Sequence, residues 1–258
     1  MQIAQPVLAA WLAEAEAIAR AAGDVILQIY GTDFAVQTKP DASPVTLADE
    51  AAEALIVPAL RALTPHIPVV AEEGFARGEA AAAADCFWLV DPLDGTREFV
   101  LRNGEFTVNI ALVQGGIPLL GVVLAPALGR LFSGVPGQGA WLDDAGGRRA
   151  IRCRSTPAEG ATVATSRAYG DSAKLAAWLQ GRPVARQVAA GSALKFGLLA
   201  SGEADLYPRF GRTMEWDTAA GHAVVLAAGG QVCDVGGQPL RYGKPGFDNP
   251  DFVATGAA

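Results

Sequence analysis

Histidine and cysteine are scarce in this sequence of 258 residues: there are two histidines, His66 and His222, and three widely spaced cysteines, Cys86, Cys153 and Cys233. The shortage excludes a disulfide scaffold, a cysteine-based zinc cluster and a histidine-rich transition-metal site. Any metal chemistry must therefore rest on carboxylates, which favour hard cations such as Mg²⁺. Positive charge is also short, with 20 Lys and Arg against 27 Asp and Glu and a net charge of −7. Binders of polymeric nucleic acid gain affinity from clustered cations, so this balance argues against one, while a small phosphorylated substrate held through metal ions stays compatible. No Lys or Arg precedes Arg20, and Glu14 and Glu16 interrupt the first apolar stretch, the wrong order for a secretory signal. The uncharged run from Phe106 to Gly129 contains Gln114-Gly115-Gly116, Pro118, Gly121 and Pro126, which spoil a spanning helix and suit two buried strands joined by a tight turn. No transmembrane segment and no internal repeat are expected, and a reducing cytoplasm is the expected setting.

What the sequence does have is apolar surface. A hydrophobic share of 51% with 18% charged residues describes a globular protein, and at about 150 residues per domain its length falls between one large domain and two packed lobes. Helical spacing of apolar residues after Pro6, from Leu8 to Ile29, predicts a long opening helix ended at Gly31. The loop Thr38 to Pro44 leads to a capping box at Thr46-Leu47-Ala48-Asp49 and a second helix to Leu63. Strands are predicted at Val69–Ala71 and Phe87–Val90, the latter ending at Asp91-Pro92, with an alanine-rich surface excursion at Ala80–Ala84 between them. Thr107–Val113, Leu119–Leu124, Leu131–Ser133 and Ala140–Leu142 have the form of an antiparallel meander ending in the loop Asp143–Gly147. Beyond about residue 153 strands alternate with helices: strand Thr162–Thr165, helices Ser172–Leu179 and Ser192–Ala200, strand Ala204–Tyr207, helix Glu215–Ala228 and strand Gln231–Cys233. The expectation is an α+β lobe over 1–153 carrying most metal ligands and an α/β lobe over 154–258 completing the site, with ligands between them.

Four carboxylates stand where hard-metal ligands gather. Glu72 follows a strand, Asp91 and Asp94 flank a turn, and Asp217 opens a helix. In Asp91-Pro92-Leu93-Asp94-Gly95-Thr96 the strand delivers Asp91, Pro92 forces a turn and Asp94 points back, so both carboxylates and the carbonyl between them can face one cation. Gly95 permits close backbone approach, and the N–H groups of Gly95 and Thr96 open a short helix suited to a phosphate. An Asp-rich turn with a helix cap explains the same residues more plainly, and a cap also explains Asp217. The adjacent acids Glu72 and Glu73 repel unless solvent or a cation intervenes, and solvent is the usual answer. His66, between prolines, and His222, inside the last helix, are read as structural.

Taken together, Glu72-Glu73, Asp91-Pro92-Leu93-Asp94-Gly95-Thr96 and Trp216-Asp217 resemble, in order and spacing, the metal signatures of the inositol monophosphatase superfamily of Mg²⁺-dependent, lithium-sensitive phosphatases. Longer stretches, Arg97 to Phe99, Arg102 to Asn109, Gly191 to Phe196, Leu206 to Gly211 and Trp216 to His222, are similar to its bacterial 3′(2′),5′-bisphosphate nucleotidases. Arg97, where that group often has Lys, and Gly74 after the Glu pair depart from the pattern without touching a metal ligand. The resemblance implies a layered αβαβα sugar-phosphatase fold and removal of the 3′-phosphate of adenosine 3′,5′-bisphosphate to give AMP and phosphate, in support of sulfate assimilation. It further implies one Mg²⁺ on Glu72, Asp91 and the Leu93 carbonyl and a second on Asp91, Asp94 and Asp217. Two cations roughly 3.5–4 Å apart can clamp the attacking and leaving oxygens of an in-line displacement. Thr96 would relay between Glu72 and the attacking water, Asp49 would sit near a third, weaker metal, and Lys39 would help close the site.

Substrate contacts are expected at Lys39, Leu93, Gly95, Thr96, Gly191, Ser192, Lys195, Arg209 and Asp217. Gly191 and Ser192 are read as opening a helix with Lys195 one turn along, although a surface lysine explains Lys195 equally well. Arg209, near Tyr207, is the preferred cation for a second phosphate, with Arg167 and Arg212 as alternatives. An inositol monophosphatase would share every metal ligand and differ in the pocket wall. A non-enzymatic nucleotide or metal sensor has no need of the full acid set. Monomer or homodimer, and peripheral attachment to the inner membrane, stay open.

Overall fold

Leu8, Leu12, Ala15, Ala19, Ala22 and Ile26 recur every three or four residues and make the buried stripe of helix α1 (Gln5–Tyr30), which has Pro6 in its first turn and Gly31 at its end. The computed structural model describes residues 3–32, 36–38, 44–79, 84–167 and 170–257, with backbone alone at 36–38 and 44–46. Lys39 and the alanine run at 80–83 lie outside the described residues.

After α1 come the paired strands β1 (Val36–Thr38) and β2 (Pro44–Thr46), which flank the predicted loop, whose residues 39–43 lie outside the described residues, and then helix α2 (Leu47–Leu63). Strand β3 (Val69–Ala71) leads to the short helix α3 (Glu72–Ala76), and β4 (Cys86–Asp94) to α4 (Thr96–Val100). The meander follows as β5 (Thr107–Gln114), β6 (Ile117–Ala125), β7 (Arg130–Val135), β8 (Gly139–Asp144) and β9 (Gly147–Ile151). It gives a seven-stranded sheet in the order β3 to β9, antiparallel except where β3 joins β4. The remaining chain forms β10 (Ala161–Ser166), α5 (Ser172–Leu179), β11 (Val184–Ala190), α6 (Leu194–Ala200), β12 (Leu206–Arg209), α7 (Ala219–Ala227), β13 (Gln231–Asp234) and β14 (Phe252–Thr255). Its five strands stand in the order β11-β10-β12-β14-β13.

The layers alternate. Helices α1 and α2 cover one face of the first sheet, while α6 and α7 lie between the two sheets, α7 against β5, β6 and β7 and α6 against β10 and β12. Helix α5 meets the second sheet where Trp178 packs on Phe210. One apolar core runs between the sheets, joining Phe87 and Phe132 of the first to Phe196, Tyr207 and Phe252 around the second. A second core seals α1 and α2 against the outer face, around Trp88, Phe99 and Phe106. No described helix is long and apolar enough to cross a membrane.

Several local expectations change. The chain does not leave the sheet at Asp91-Pro92: β4 continues to Asp94 through a bulge, with Asp91 opposite Asn109 and Asp94 opposite Thr107. One extra residue is taken up there, and a bulge accommodates Pro92 because its missing N–H need not join the ladder. Residues 215–218 are turns preceding α7 instead of its first turn. The loop expected from Asp143 to Gly147 is a tight turn into β9. Strand β11 escapes sequence patterning because it is an edge strand whose Ala185, Arg186, Gln187 and Ala189 are exposed. The reverse holds for β14, too short to pattern alone but held between β12 and β13.

Candidate active site

Strands β3 and β4 run parallel with Ala71 beside Val90, so the next residues, Glu72 where β3 gives way to α3 and Asp91 just before the bulge in β4, come side by side. This register gathers two acids that are far apart in sequence. The third arrives from the opposite layer. Helix α7 packs on the first sheet, and the turn before it brings Asp217 to the pair, so that one carboxylate oxygen from each of Glu72, Asp91 and Asp217 lies within 4.8 Å of the others. The close packing needs small residues: a Cβ on Gly121 of β6 would stand 2.2 Å from the Ala220 carbonyl oxygen.

These acids line a cavity of about 340 Å³ between the sheets, together with Leu93, Asp94, Gly95, Thr96, Ser192, Lys195 and Arg209. Asp91 is buried, and its Oδ1 accepts the Leu93 N–H at 3.0 Å. Asp217 uses Oδ2 to accept the Met214 N–H at 2.8 Å, not an N–H of Ala219 or Ala220 as a helix cap would. Asp94 turns toward the second layer, its Oδ2 accepting the Ala193 N–H at 2.6 Å with Thr107 and Asn109 donors at 3.4 Å. The Thr96 hydroxyl donates to the Leu93 carbonyl over 3.5 Å. Gly95 adopts φ 90°, and a Cβ there would fall 2.0 Å from Ser192 Oγ, so only glycine lets the layers meet at this point.

Charge is frustrated here. Burial, then repulsion from Glu72, Asp94, Asp217 and Asp49, pushes the Asp91 carboxyl far above the usual carboxylate range, and burial with Asp94 and Glu72 does the same to Asp217. Burial also lifts Asp94 to about 6 against the pull of Lys195. Crowded, partly buried carboxylates repelling one another are what a cation relieves, and three hard oxygens without histidine or sulfur suit Mg²⁺. The residues fit a divalent metal site.

The other predicted positions divide. Lys195 is no surface lysine: it is buried, its ammonium donates to the carbonyls of Ser192 at 2.6 Å and Ala190 at 3.1 Å, and burial lowers it to about 8. Gly191 does not offer its N–H to the cavity, since the Glu105 carboxylate accepts it at 2.8 Å, and α6 starts only at Leu194. Ser192 Oγ lies 2.8 Å from the carbonyl oxygens of both Asp94 and Glu105, with its single O–H donated to one or shared between them, stitching the layers together. Arg209 is buried in the cavity wall and donates to the Arg212 carbonyl at 3.1 Å. Arg167 is instead engaged in a bidentate pair with Glu105, at 2.7 and 3.0 Å, and lies outside the cavity lining, whereas Arg212 lines the cavity while pairing with exposed Asp248 at 2.8 Å. Asp49 is buried on α2, close enough to act on Asp91 though outside the cavity lining among the described residues. Glu73 is buried and is not among the residues lining the cavity, so solvent does not part it from Glu72. His222 is structural, its Nδ1 2.9 Å from the Tyr242 hydroxyl and its pKa lowered by burial to about 3.

Glu98, Ser166 and Thr213 also line the cavity, unforeseen. Of these Glu98, four residues past Asp94, carried a usable signal: it lies in the stretch Arg97 to Phe99 that shares the resemblance, on a helix that starts at the acid motif.

A profile of the inositol monophosphatase family matches residues 8–255. The chain is 50% identical over 238 residues to the 3′(2′),5′-bisphosphate nucleotidase CysQ of Escherichia coli O6:H1, covering 91% of this chain and 95% of that protein. It is 49% identical to CysQ of Escherichia coli K12 with the same coverage. Among solved structures, CysQ from Bacteroides thetaiotaomicron superposes with a TM-score of 0.81 at 36% identity, covering 96% of this chain and 98% of that one. The inositol monophosphatase of Anabaena superposes at 0.77 with 27% identity, covering 97% and 92%.

Proposed function

The chain belongs to the inositol monophosphatase family, and on that premise we propose that it is a Mg²⁺-dependent phosphatase of the CysQ type, releasing the 3′-phosphate of adenosine 3′,5′-bisphosphate to give AMP and phosphate. The observation that carries this is the convergence of Glu72, Asp91 and Asp217 in one cavity whose wall also holds Lys195 and Arg209. Acids for a metal and cations for a doubly phosphorylated ligand line the same space.

Glu72, Asp91 and Asp217 would hold Mg²⁺, joined by the Leu93 carbonyl and, after a turn of its carboxylate away from Ala193, by Asp94. Two ions are the reading adopted, with Asp49 near a third. When bound, Mg²⁺ supplies Lewis-acid polarisation of the phosphate and lowers the pKa of water toward neutrality. Thr96, which lines the cavity with Glu72, would orient the attacking water by accepting a hydrogen bond from it while donating its own to the Leu93 carbonyl, a role open to a hydroxyl and closed to a methyl. Gly95 keeps the backbone low beneath the reacting phosphate, and Ser192 holds the facing turn in place. Lys195, with its ammonium fixed by two carbonyls, offers a positive charge that needs no reorganisation. Arg209 takes the second, unreacting phosphate, and its guanidinium suits that planar pairing better than a lysine would. We place the activity in the cytoplasm, in clearance of the by-product of sulfate transfer.

Phosphate release from adenosine 3′,5′-bisphosphate, adenosine 3′-monophosphate and inositol 1-phosphate, with and without Mg²⁺, tests the reading. Preference for the bisphosphate and dependence on Mg²⁺ are expected. Preference for inositol 1-phosphate would make the protein a sugar phosphatase, and binding without turnover would make it a sensor.

A further inference from the structure

The turn that carries Asp217 belongs to no helix or strand, so its shape must be imposed from outside. The imposing segment is 241–249. Buried Glu215 accepts the N–H groups of Gly243 at 2.5 Å and Lys244 at 3.0 Å, and pairs with the Lys244 ammonium at 2.5 Å. Closer to the acid itself, Asn249 spans the turn. Its side-chain N–H groups donate to the Met214 carbonyl at 2.7 Å and to Thr218 Oγ1 at 2.9 Å, with Thr213 Oγ1 at 3.3 Å, while its backbone N–H donates to the Thr213 carbonyl at 2.9 Å. Met214 is the residue whose N–H holds Asp217 Oδ2 at 2.8 Å, and Thr218 is the residue after the acid. Asn249 therefore grips both sides of Asp217, and the Met214 backbone links the grip to the carboxylate.

We propose that Asn249 is a positioning residue that holds the Asp217 carboxylate toward Glu72 and Asp91 and so sets the affinity for the divalent cation. The inference rests on reading Asp217 as a metal ligand. In sequence Asp248-Asn249-Pro250 signals only a turn, and a turn needs no side-chain contact with residues more than thirty positions earlier. Partners that orient a metal ligand from outside commonly govern metal affinity by about 10–100-fold.

Titration calorimetry of Mg²⁺ into metal-stripped protein tests this without turnover. Asn249→Ala is expected to weaken Mg²⁺ binding by about 10–100-fold, with a smaller loss in the same direction for Thr218→Val, which removes one acceptor at nearly constant shape. In kinetics the Mg²⁺ half-saturation should rise while kcat at saturating Mg²⁺ recovers, which a general loss of folding would not produce. If Asn249→Ala fails to fold, Thr218→Val decides by the same criterion. Unchanged Mg²⁺ affinity in these variants, alongside a clear loss in Asp217→Asn, overturns the role of Asn249. Unchanged affinity in Asp217→Asn overturns the ligand assignment beneath it, and the proposal with it.

Discussion

Arg209 and Lys195 stand three kinds of contact apart from ordinary surface cations: both are buried, both face the acid-lined cavity, and both spend donors on backbone carbonyls that fix where the charge sits. Tyr207 and Arg209 are two apart on β12 and so share a face of the strand, and the Lys195 ammonium lies 5.2 Å from the Tyr207 ring centroid. Arg209→Ala is expected to lose a charge-assisted contact of about 1.5–3 kcal/mol, or on the order of 10- to 100-fold in kcat/KM for the bisphosphate. Adenosine 3′-monophosphate should be nearly unaffected, and an equal loss on both substrates would move the role to Arg167, Arg212 or Lys195. Thr96→Val is a second residue-level case, expected to lower kcat by about 10²-fold or more with little change in KM, since the hydroxyl acts on the water and not on binding. A change confined to KM would assign Thr96 to substrate instead.

At the scale of elements, two parallel neighbours and one close helix crossing build the site. The β3–β4 register sets Glu72 beside Asp91, and the bulge in β4 swings Asp94 toward α6, where Ala193 meets it. Helix α7 can bring Asp217 in only because it lies unusually low on β6. Gly121→Ala would set a Cβ 2.2 Å from the Ala220 carbonyl and 2.8 Å from Ala223 Cβ, and backbone cannot yield as a flexible side chain does. Overpacking of this kind costs about 1–3 kcal/mol, so thermal unfolding should show Tm lowered by several degrees, together with weaker Mg²⁺ binding as α7 is pushed outward. An unchanged Tm would mean that the sheet and helix can part without cost.

For the whole molecule, the crowded acids make stability depend on pH and metal together. Asp94 is lifted to about 6 when folded from near 4 when unfolded, and Asp91 and Asp217 are raised as well. From about pH 4 upward these three carboxyls therefore hold more protons in the metal-free native state than in the unfolded chain, and their contribution to stability is lost as pH rises through their folded values. His222, lowered to about 3, acts in the opposite sense below about pH 6.5, but it lies away from the cluster and affects metal-free and loaded protein alike. The rise in Tm on adding Mg²⁺ should consequently be larger at pH 7.5 than at pH 5.5, where the cation must displace protons. Equal rises at the two pH values would argue against binding at this cluster. Lithium, bringing one charge where Mg²⁺ brings two, is expected to occupy the cluster and depress turnover relative to a potassium control of equal ionic strength.

The sequence by itself determined which chemistry was available. With two histidines and three cysteines it left carboxylates as metal ligands, and short motifs around Glu72, Asp91, Asp94 and Asp217 marked them because such acids need turns and helix starts that local residue types reveal. Helical and strand periodicity likewise exposed α1, α2 and the meander, whose apolar faces repeat within a few residues. What periodicity cannot carry is contact between distant segments. Only the tertiary structure decided that Lys195 is buried, that Arg167 is spent on Glu105, that Asp217 is held through Met214 and that Asn249 reaches across to brace it. Each of those depends on which layer faces which, and that is settled by packing two sheets around α6 and α7, a collective outcome no single stretch of residues encodes.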